Sequence, residues 1–408
     1  MIAGSPATAA TPADVVLEWN AVMGTAVLSA GSNPIVTTRV AAIVNAAIFD
    51  AVNGVEQRYN AIEITAPPSL HVSVRAAAIQ AAYEALRNLY PAQEAMLLTR
   101  RSASLAALDD SARDIAAGIA WGHTVADAVW RSRSTDGFNP QPVPAFRGAD
   151  VLGVWRPTPP ANANGFGVEV ASMRPWALRL PSQFRPGPPH ALTSVEYAAD
   201  YNETKVWGAK DGSPRSADQS ELVLFWNGNG TLIWNRLAGR LAVENNYDML
   251  QTARLLARLH LAMADAAIAC WDSKYRFVYW RPITAIRLGE NDGNAGTVGD
   301  PAWNPWLAAT PAHPEYLSGH STLSGAAAYV LENAFGADTS FWVDSDLRPG
   351  TRSFTNFDDA LAEVVNARVF GGIHFRTACV RGNAVGKQVA QYVLANAVQS
   401  RRGNSERQ

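Results

Sequence analysis

Apolar positions recur at helical spacing along most of this chain. From residue 13 to about 129 the period is close to 3.6. The run Val40-Ala-Ala-Ile-Val-Asn45-Ala-Ala-Ile-Phe49-Asp50-Ala-Val52 is rich in small apolar residues and has no continuous polar face. That composition predicts a helix buried nearly all round. Residues 76–108 predict one or two further helices broken near Pro91, and 109–129 predicts another. Between 137 and about 214 no period persists. Prolines crowd this stretch (Pro140, Pro142, Pro144, Pro157, Pro159, Pro160, Pro175, Pro181, Pro186, Pro188, Pro189), with Gly and Asn between them. Trp155, Phe166, Trp176 and Phe184 offer it anchors, so an ordered wrap is expected rather than a linker.

Helical periodicity resumes at Gln219 and runs, with breaks, through 232–245 and 247–270. A loop at 289–312 follows. Two helices are then predicted, 321–335 ended by Gly336 and 358–370 ended by Gly371-Gly372. A last helix is expected from about 382 to 398. Strand-like alternation is scarce. The expected fold is all-α: two helical bundles forming one compact unit, with a long Pro-rich wrapping segment. The expected divisions are a flexible tail 1–12, an N-terminal bundle 13–136, the wrap 137–216, a C-terminal bundle 217–399 and a polar tail 400–408.

Length and composition narrow the class. A chain of 408 residues with 48% apolar and 17% charged residues can bury a large core and is not disordered. Its net charge of −2 gives no general pull toward nucleic acid or anionic membrane, so any anion site must be built locally. No apolar run is expected to span a bilayer. Two cysteines, Cys270 and Cys379, make neither a disulfide framework nor a zinc site, and buried free thiols are expected. The start, Met1-Ile-Ala-Gly-Ser-Pro, lacks the basic and apolar regions of an intact secretory signal. The compartment stays open: export with the signal absent from this chain, or the cytoplasm. Buried apolar helices are compatible with a homo-oligomer, but nothing in the sequence locates an interface.

Three short elements carry the chemistry. Lys274 and Arg281-Pro282 come first, then Ser318-Gly319-His320, then Arg368 and His374. A helix-start signal follows Ser318-Gly319, so their amides stand at the positive end of a helix, where anions bind. Pro282 drives Arg281 out of helical geometry, which frees it to converge with Lys274. Arg368 shares a helix face with Leu361, Val364 and Val365, and a buried arginine is expensive unless it is paired or holds an anion. Each element alone reads equally well as a capping turn, an ion pair or a structural histidine. Together they supply three cations, a hydroxyl, a glycine amide and two imidazoles, a set suited to a tetrahedral oxyanion with acid-base chemistry beside it.

The order and spacing Lys274-x6-Arg281-Pro282, Ser318-Gly319-His320, Arg368-x5-His374 resembles the three-part signature of the vanadium-dependent haloperoxidases and the related acid and lipid phosphatases. Trp271-Asp272, Trp280-Arg281-Pro282-Ile-Thr-Ala-Ile-Arg287 and Thr310-Pro-Ala-His313-Pro-Glu-Tyr extend the resemblance to the soluble bacterial haloperoxidase-type branch. The resemblance implies a vanadate cofactor, with phosphate as competitor. It implies that Lys274, Arg281, Ser318, Gly319 and Arg368 hold the vanadate oxygens, that His374 is the axial ligand, and that His320 is the acid-base residue. Hydrogen peroxide, halide and small organic acceptors are the implied partners, with Lys274 polarising peroxide for halide attack. His313 and Trp271 fall at halide-side positions, which leans the expectation toward bromide or iodide over chloride. Two departures stand out. Leu317 replaces the usual proline, and Ala378 stands where many members carry an aspartate, so His374 needs another partner to fix its tautomer. Asp265 and Asp272 are candidates to orient the arginines.

Two alternatives remain at this level. An acid phosphatase could use the same cradle, with His374 attacking phosphorus and His320 protonating the leaving group. A protein that only binds oxyanions is a different class, but it would have no use for His320.

Overall fold

The computed structural model of the protein describes residues 14–65, 71–138 and 145–401. The expected tail 1–12, residues 402–408 of the expected tail 400–408, and Pro140, Pro142 and Pro144 lie outside the described residues. Among the described residues thirteen α-helices follow one another: α1 (Val15–Ser29), α2 (Pro34–Glu56), α3 (Val74–Leu89), α4 (Glu94–Ala106), α5 (Ala112–Arg133), α6 (Val195–Trp207), α7 (Ala217–Phe225), α8 (Gly230–Glu244), α9 (Met249–Phe277), α10 (Pro282–Arg287), α11 (Gly319–Phe335), α12 (Phe357–Phe370) and α13 (Arg376–Asn396). One antiparallel hairpin, β1 (Phe341–Asp344) with β2 (Thr351–Phe354), pairs Phe341 opposite Phe354. The chain is therefore mostly helical, as its periodicity predicts.

Local signals set the ends of these helices. Asn33 caps α2 by accepting from the amides of Ile35 and Val36, and Pro34 occupies the first helical position. Asp248 and Gln251 form a capping box at the start of α9. Helix α2 is buried from Thr37 to Asn53 without interruption, as its lack of a polar face predicts. At 23 residues it is long and apolar enough to cross a bilayer, which corrects the expectation that no run reaches that length. Its surface is spent inside the protein, against α3, α5, α8 and α9. Because α2 lies on α9, and α9 on α11 and α13, both ends of the chain feed one apolar core.

Three expectations need correction. Helix α6 falls inside the stretch read as wrap, where neighbouring prolines and glycines mask its short period. Helix α13 begins at Arg376, not near 382, because Gly382 and Gly386 are packing positions within the helix and do not start it. At Gly386 an added Cβ would lie 2.1 Å from the Thr322 carbonyl of α11. Asp265 and Asp272 orient no arginine of the site. Asp265 accepts from the amides of Trp176, Ala177 and Leu178 at 2.7–2.9 Å, and Asp272 forms a two-pronged pair with Arg185 at 2.6 Å. Both acids pin the Pro-rich segment onto α9. Further anchors are the buried Trp155, Trp176 beneath the Arg133 guanidinium and Phe184 edge-on to Tyr392.

Candidate active site

Three helix ends converge on one place. The first is the C-terminal end of α9, which carries Trp271 and Lys274. The chain leaves α9 through Val278 in a left-handed conformation, and Arg281 follows in an extended one (φ −82°, ψ 153°) before Pro282 opens α10. The second is the N-terminus of α11, where Ser318 is the cap and Gly319 and His320 are the first helical residues. The third is the turn between α12 and α13. Gly372 takes φ +73° there, a left-handed conformation that favours glycine, and a Cβ would come 2.5 Å from the Gly208 carbonyl. That turn delivers His374. The amide of Ser318 donates to the Ala378 carbonyl at 3.1 Å, joining the second and third ends directly.

Gly319, His320, Arg368, His374, Trp271 and His313 share the wall of a cavity of about 260 Å³. Its remaining wall is mostly apolar and comes from distant parts of the chain, including Ile35 of α2, Phe166 of the wrap and Leu323 of α11. The rings of Trp271 and His313 lie 5.0 Å apart. The Phe166 carbonyl accepts from Trp271 Nε1 at 3.3 Å and its amide donates to Ala312, so the wrap closes this side.

Lys274, Arg281 and Ser318 stand behind that wall. Lys274 Nζ donates to the carbonyls of Pro314 (2.8 Å), Glu315 (3.1 Å) and Leu317. Ser318 Oγ accepts from the Ser321 amide and hydroxyl. Arg281 donates to His374 Nε2 at 3.1 Å, to His313 Nδ1 at 2.9 Å and to the carbonyls of Pro311, His313 and Ile373. All the positions predicted for the site thus gather in one region, six on the cavity and three packed beneath it.

The electrostatics follow from burial. Lys274, Arg281 and Arg368 are all essentially inaccessible to solvent. Desolvation lowers Lys274 to about 7, and both arginines to about 10. Burial, with these cations nearby, holds His313, His320 and His374 well below the ordinary imidazole range, so all three are neutral at pH 7. Glu315 is the buried carboxyl among them, raised to about 8 by desolvation against the pull of Lys274 and Arg281. Its Oε1 lies 3.0 Å from His374 Nδ1 and accepts the Phe375 amide at 2.9 Å.

Arg368 is the outlier among the cations. It is 1% exposed, and among the described residues its Nε has no partner and its one hydrogen bond is a 3.5 Å contact to the Trp226 carbonyl. Among the described residues no carboxylate pairs with it. A buried cation left this way carries an unmet requirement for an anion. Sequence reasoning anticipated that tension. It missed Glu315 as a site residue, although a lone acid between Pro314 and Tyr316 needs donors if buried, and it had no signal for Ile35 or Leu323. Both cysteines are buried free thiols, as expected.

Comparison with known proteins points one way. A family model described as the VCPO second helical-bundle domain matches residues 254–403. Vanadium chloroperoxidase of Curvularia inaequalis is 27% identical over 197 residues, 40% of this chain and 31% of that protein. The match therefore spans about a third of the curated relative's length. The crystal structure of a bacterial vanadium-dependent iodoperoxidase superposes with a TM-score of 0.84 at 27% identity, covering 95% of this chain and 98% of that one. A holo-type bacterial vanadium-dependent chloroperoxidase shares the fold, with a TM-score of 0.69 at 20% identity over 88% of this chain and 92% of its own.

Proposed function

We propose that this chain, a member of the vanadium haloperoxidase family, is a vanadate-dependent haloperoxidase that uses hydrogen peroxide to oxidise bromide or iodide in preference to chloride. The observation that carries the reading is Arg368, buried with no acidic partner among the described residues, on the wall of a cavity it shares with three neutral histidines. Its unmet Nε suits an anion. At Gly319 an added Cβ would come 3.2 Å from the Trp271 ring, a tight contact that glycine avoids. A tetrahedral oxyanion fits this donor set.

Arg368, Arg281 and Lys274 would offset the anion's charge, the Gly319 amide and the Ser318 hydroxyl would donate to its oxygens, and His374 Nε2 would supply the imidazole ligand. Vanadate, when bound, supplies a d0 Lewis acid that activates peroxide without changing oxidation state. His320, neutral and on the cavity wall, would take a proton from incoming hydrogen peroxide and return it to the product. Trp271, His313 and Phe166 narrow that side of the cavity, and a less hydrated wall would strengthen each electrostatic contact within. The lean toward bromide or iodide draws on His313 and on the likeness to the iodoperoxidase.

The test is halide oxidation by vanadate-free protein titrated with vanadate, with peroxide, bromide or iodide and an organic acceptor. Saturable, vanadate-dependent halogenation that phosphate suppresses is expected. His374→Ala is expected to lose vanadate binding, whereas His320→Ala keeps it and loses turnover. Hydrolysis of phosphate monoesters, inhibited by vanadate and without halogenation, would move the protein to the phosphatase reading. Equal vanadate affinity in wild type and His374→Ala would remove the proposed role of His374 in holding vanadate.

A further inference from the structure

We infer that Glu315 is the positioning residue of His374: from the Nδ1 side, opposite Arg281 on Nε2, it holds the ring as the tautomer with Nδ1 as donor and Nε2 as acceptor, the form an oxyanion-borne centre would need. The geometry leaves little choice. Arg281 NH1 lies 3.1 Å from His374 Nε2, and a guanidinium can only donate, so Nε2 is the acceptor and carries no proton. The single proton of a neutral ring then sits on Nδ1, which donates to Glu315 Oε1 at 3.0 Å. The same Oε1 takes the Phe375 amide at 2.9 Å. One carboxyl oxygen therefore holds both the side chain of His374 and the backbone immediately after it.

Glu315 is itself held. Its amide donates to the Tyr279 carbonyl at 2.9 Å, its carbonyl accepts from Lys274 Nζ, and its residue exposure is 1%. The residue thus ties the segment before α11 to the turn before α13 and to the end of α9. It occupies the role that Ala378, a methyl group four residues after His374, is unable to fill. A partner of this kind orients a ligand histidine and raises its basicity, and its loss typically costs about 10–100-fold in affinity.

The inference rests on His374 being the oxyanion-facing imidazole, and its test separates the two. Nitrogen-15 NMR of histidine-labelled, vanadate-free protein, with His374 assigned by its loss in His374→Gln, reports the tautomer directly. Wild type is expected to show Nδ1 protonated and Nε2 bare. Glu315→Ala is expected to mix the tautomers and weaken orthovanadate binding, measured by calorimetry, roughly 10–100-fold. Glu315→Gln keeps an acceptor oxygen and is expected to hold the wild-type tautomer. A purely structural role would lower the melting temperature of Glu315→Ala and leave tautomer and affinity unchanged, which overturns the proposal. A proton on Nε2 in wild type overturns the proposal outright. If Glu315→Ala does not fold, Glu315→Asp, whose shorter side chain draws the carboxyl back from Nδ1, is read in its place: wild-type tautomer and affinity in that variant overturn the proposal. No orthovanadate binding to wild type, with the expected tautomer present, would instead count against the haloperoxidase reading.

Discussion

Replacing Arg368 with methionine is expected to make the ligand-free protein more stable while abolishing oxyanion binding. The guanidinium is fully buried and lacks a counter-ion among the described residues. Burial lowers it from 12.5 to about 10, and each unit is worth about 1.4 kcal/mol, so keeping the charged form costs about 3 kcal/mol. Methionine fills much of the same space and leaves nothing charged; only the 3.5 Å contact to the Trp226 carbonyl is lost. With an unfolding entropy of about 2 cal/mol/K per residue, 3 kcal/mol corresponds to a rise of roughly 3–4 °C in Tm for a chain of this length. Orthovanadate at a hundredfold excess over its Kd should add about 2.7 kcal/mol to wild type and nothing to the variant. Differential scanning calorimetry in anion-free buffer and again with orthovanadate reads both effects: the variant melts higher in the first and gains nothing in the second. A variant less stable than wild type without the anion would refute the reasoning, because Arg368 would then be a structural residue.

Two further outcomes test the scaffold. Burial pushes His260 down to about 3 from 6.5, so between those values the unfolded chain binds a proton that the folded chain refuses. Stability from this group is complete above pH 6.5 and falls as pH drops toward 3, by about 3 kcal/mol at pH 4. His260→Gln is expected to flatten that acid loss in urea melts at pH 7 and pH 4, and unchanged slopes would discount it. Gly386→Ala should force α13 away from α11, since the new Cβ meets the Thr322 carbonyl at 2.1 Å. The expected cost is about 1–3 kcal/mol in denaturant midpoint, with weaker vanadate binding by calorimetry. Wild-type values for both would show that the helices can separate freely.

Much of the helical architecture was legible because burial leaves a periodic trace. Helix α2 announced itself by lacking a polar face, and Gly336 and Gly371-Gly372 marked the ends of α11 and α12. The last helix was placed from about 382, six residues late, because its first turn, Arg376 to Cys379, carries no side-chain cap to mark the start. The site positions were legible as a set, through type and spacing. Their division between the cavity wall and the layer beneath was not, since only folding shows that Lys274 and Arg281 turn to carbonyl oxygens. The role of Asp265 and Asp272 depended on partners about ninety residues away, and no local pattern reports those. Ile35, Phe166 and Leu323 became neighbours only through tertiary packing.

The Pro-rich segment has a consequence for how such a protein can change. The groups proposed to hold an oxyanion sit on α9, α11, α12 and the turns beside them, whereas Phe166 comes from a largely irregular strap fastened to α9 by Asp265 and Asp272. Strap and cradle are thus separable inheritances. Substitutions, insertions or deletions around Phe166 can reshape the cavity that it lines, while the two carboxylate rivets keep the strap in register. Selectivity can drift on the strap at little cost to the chemistry below it.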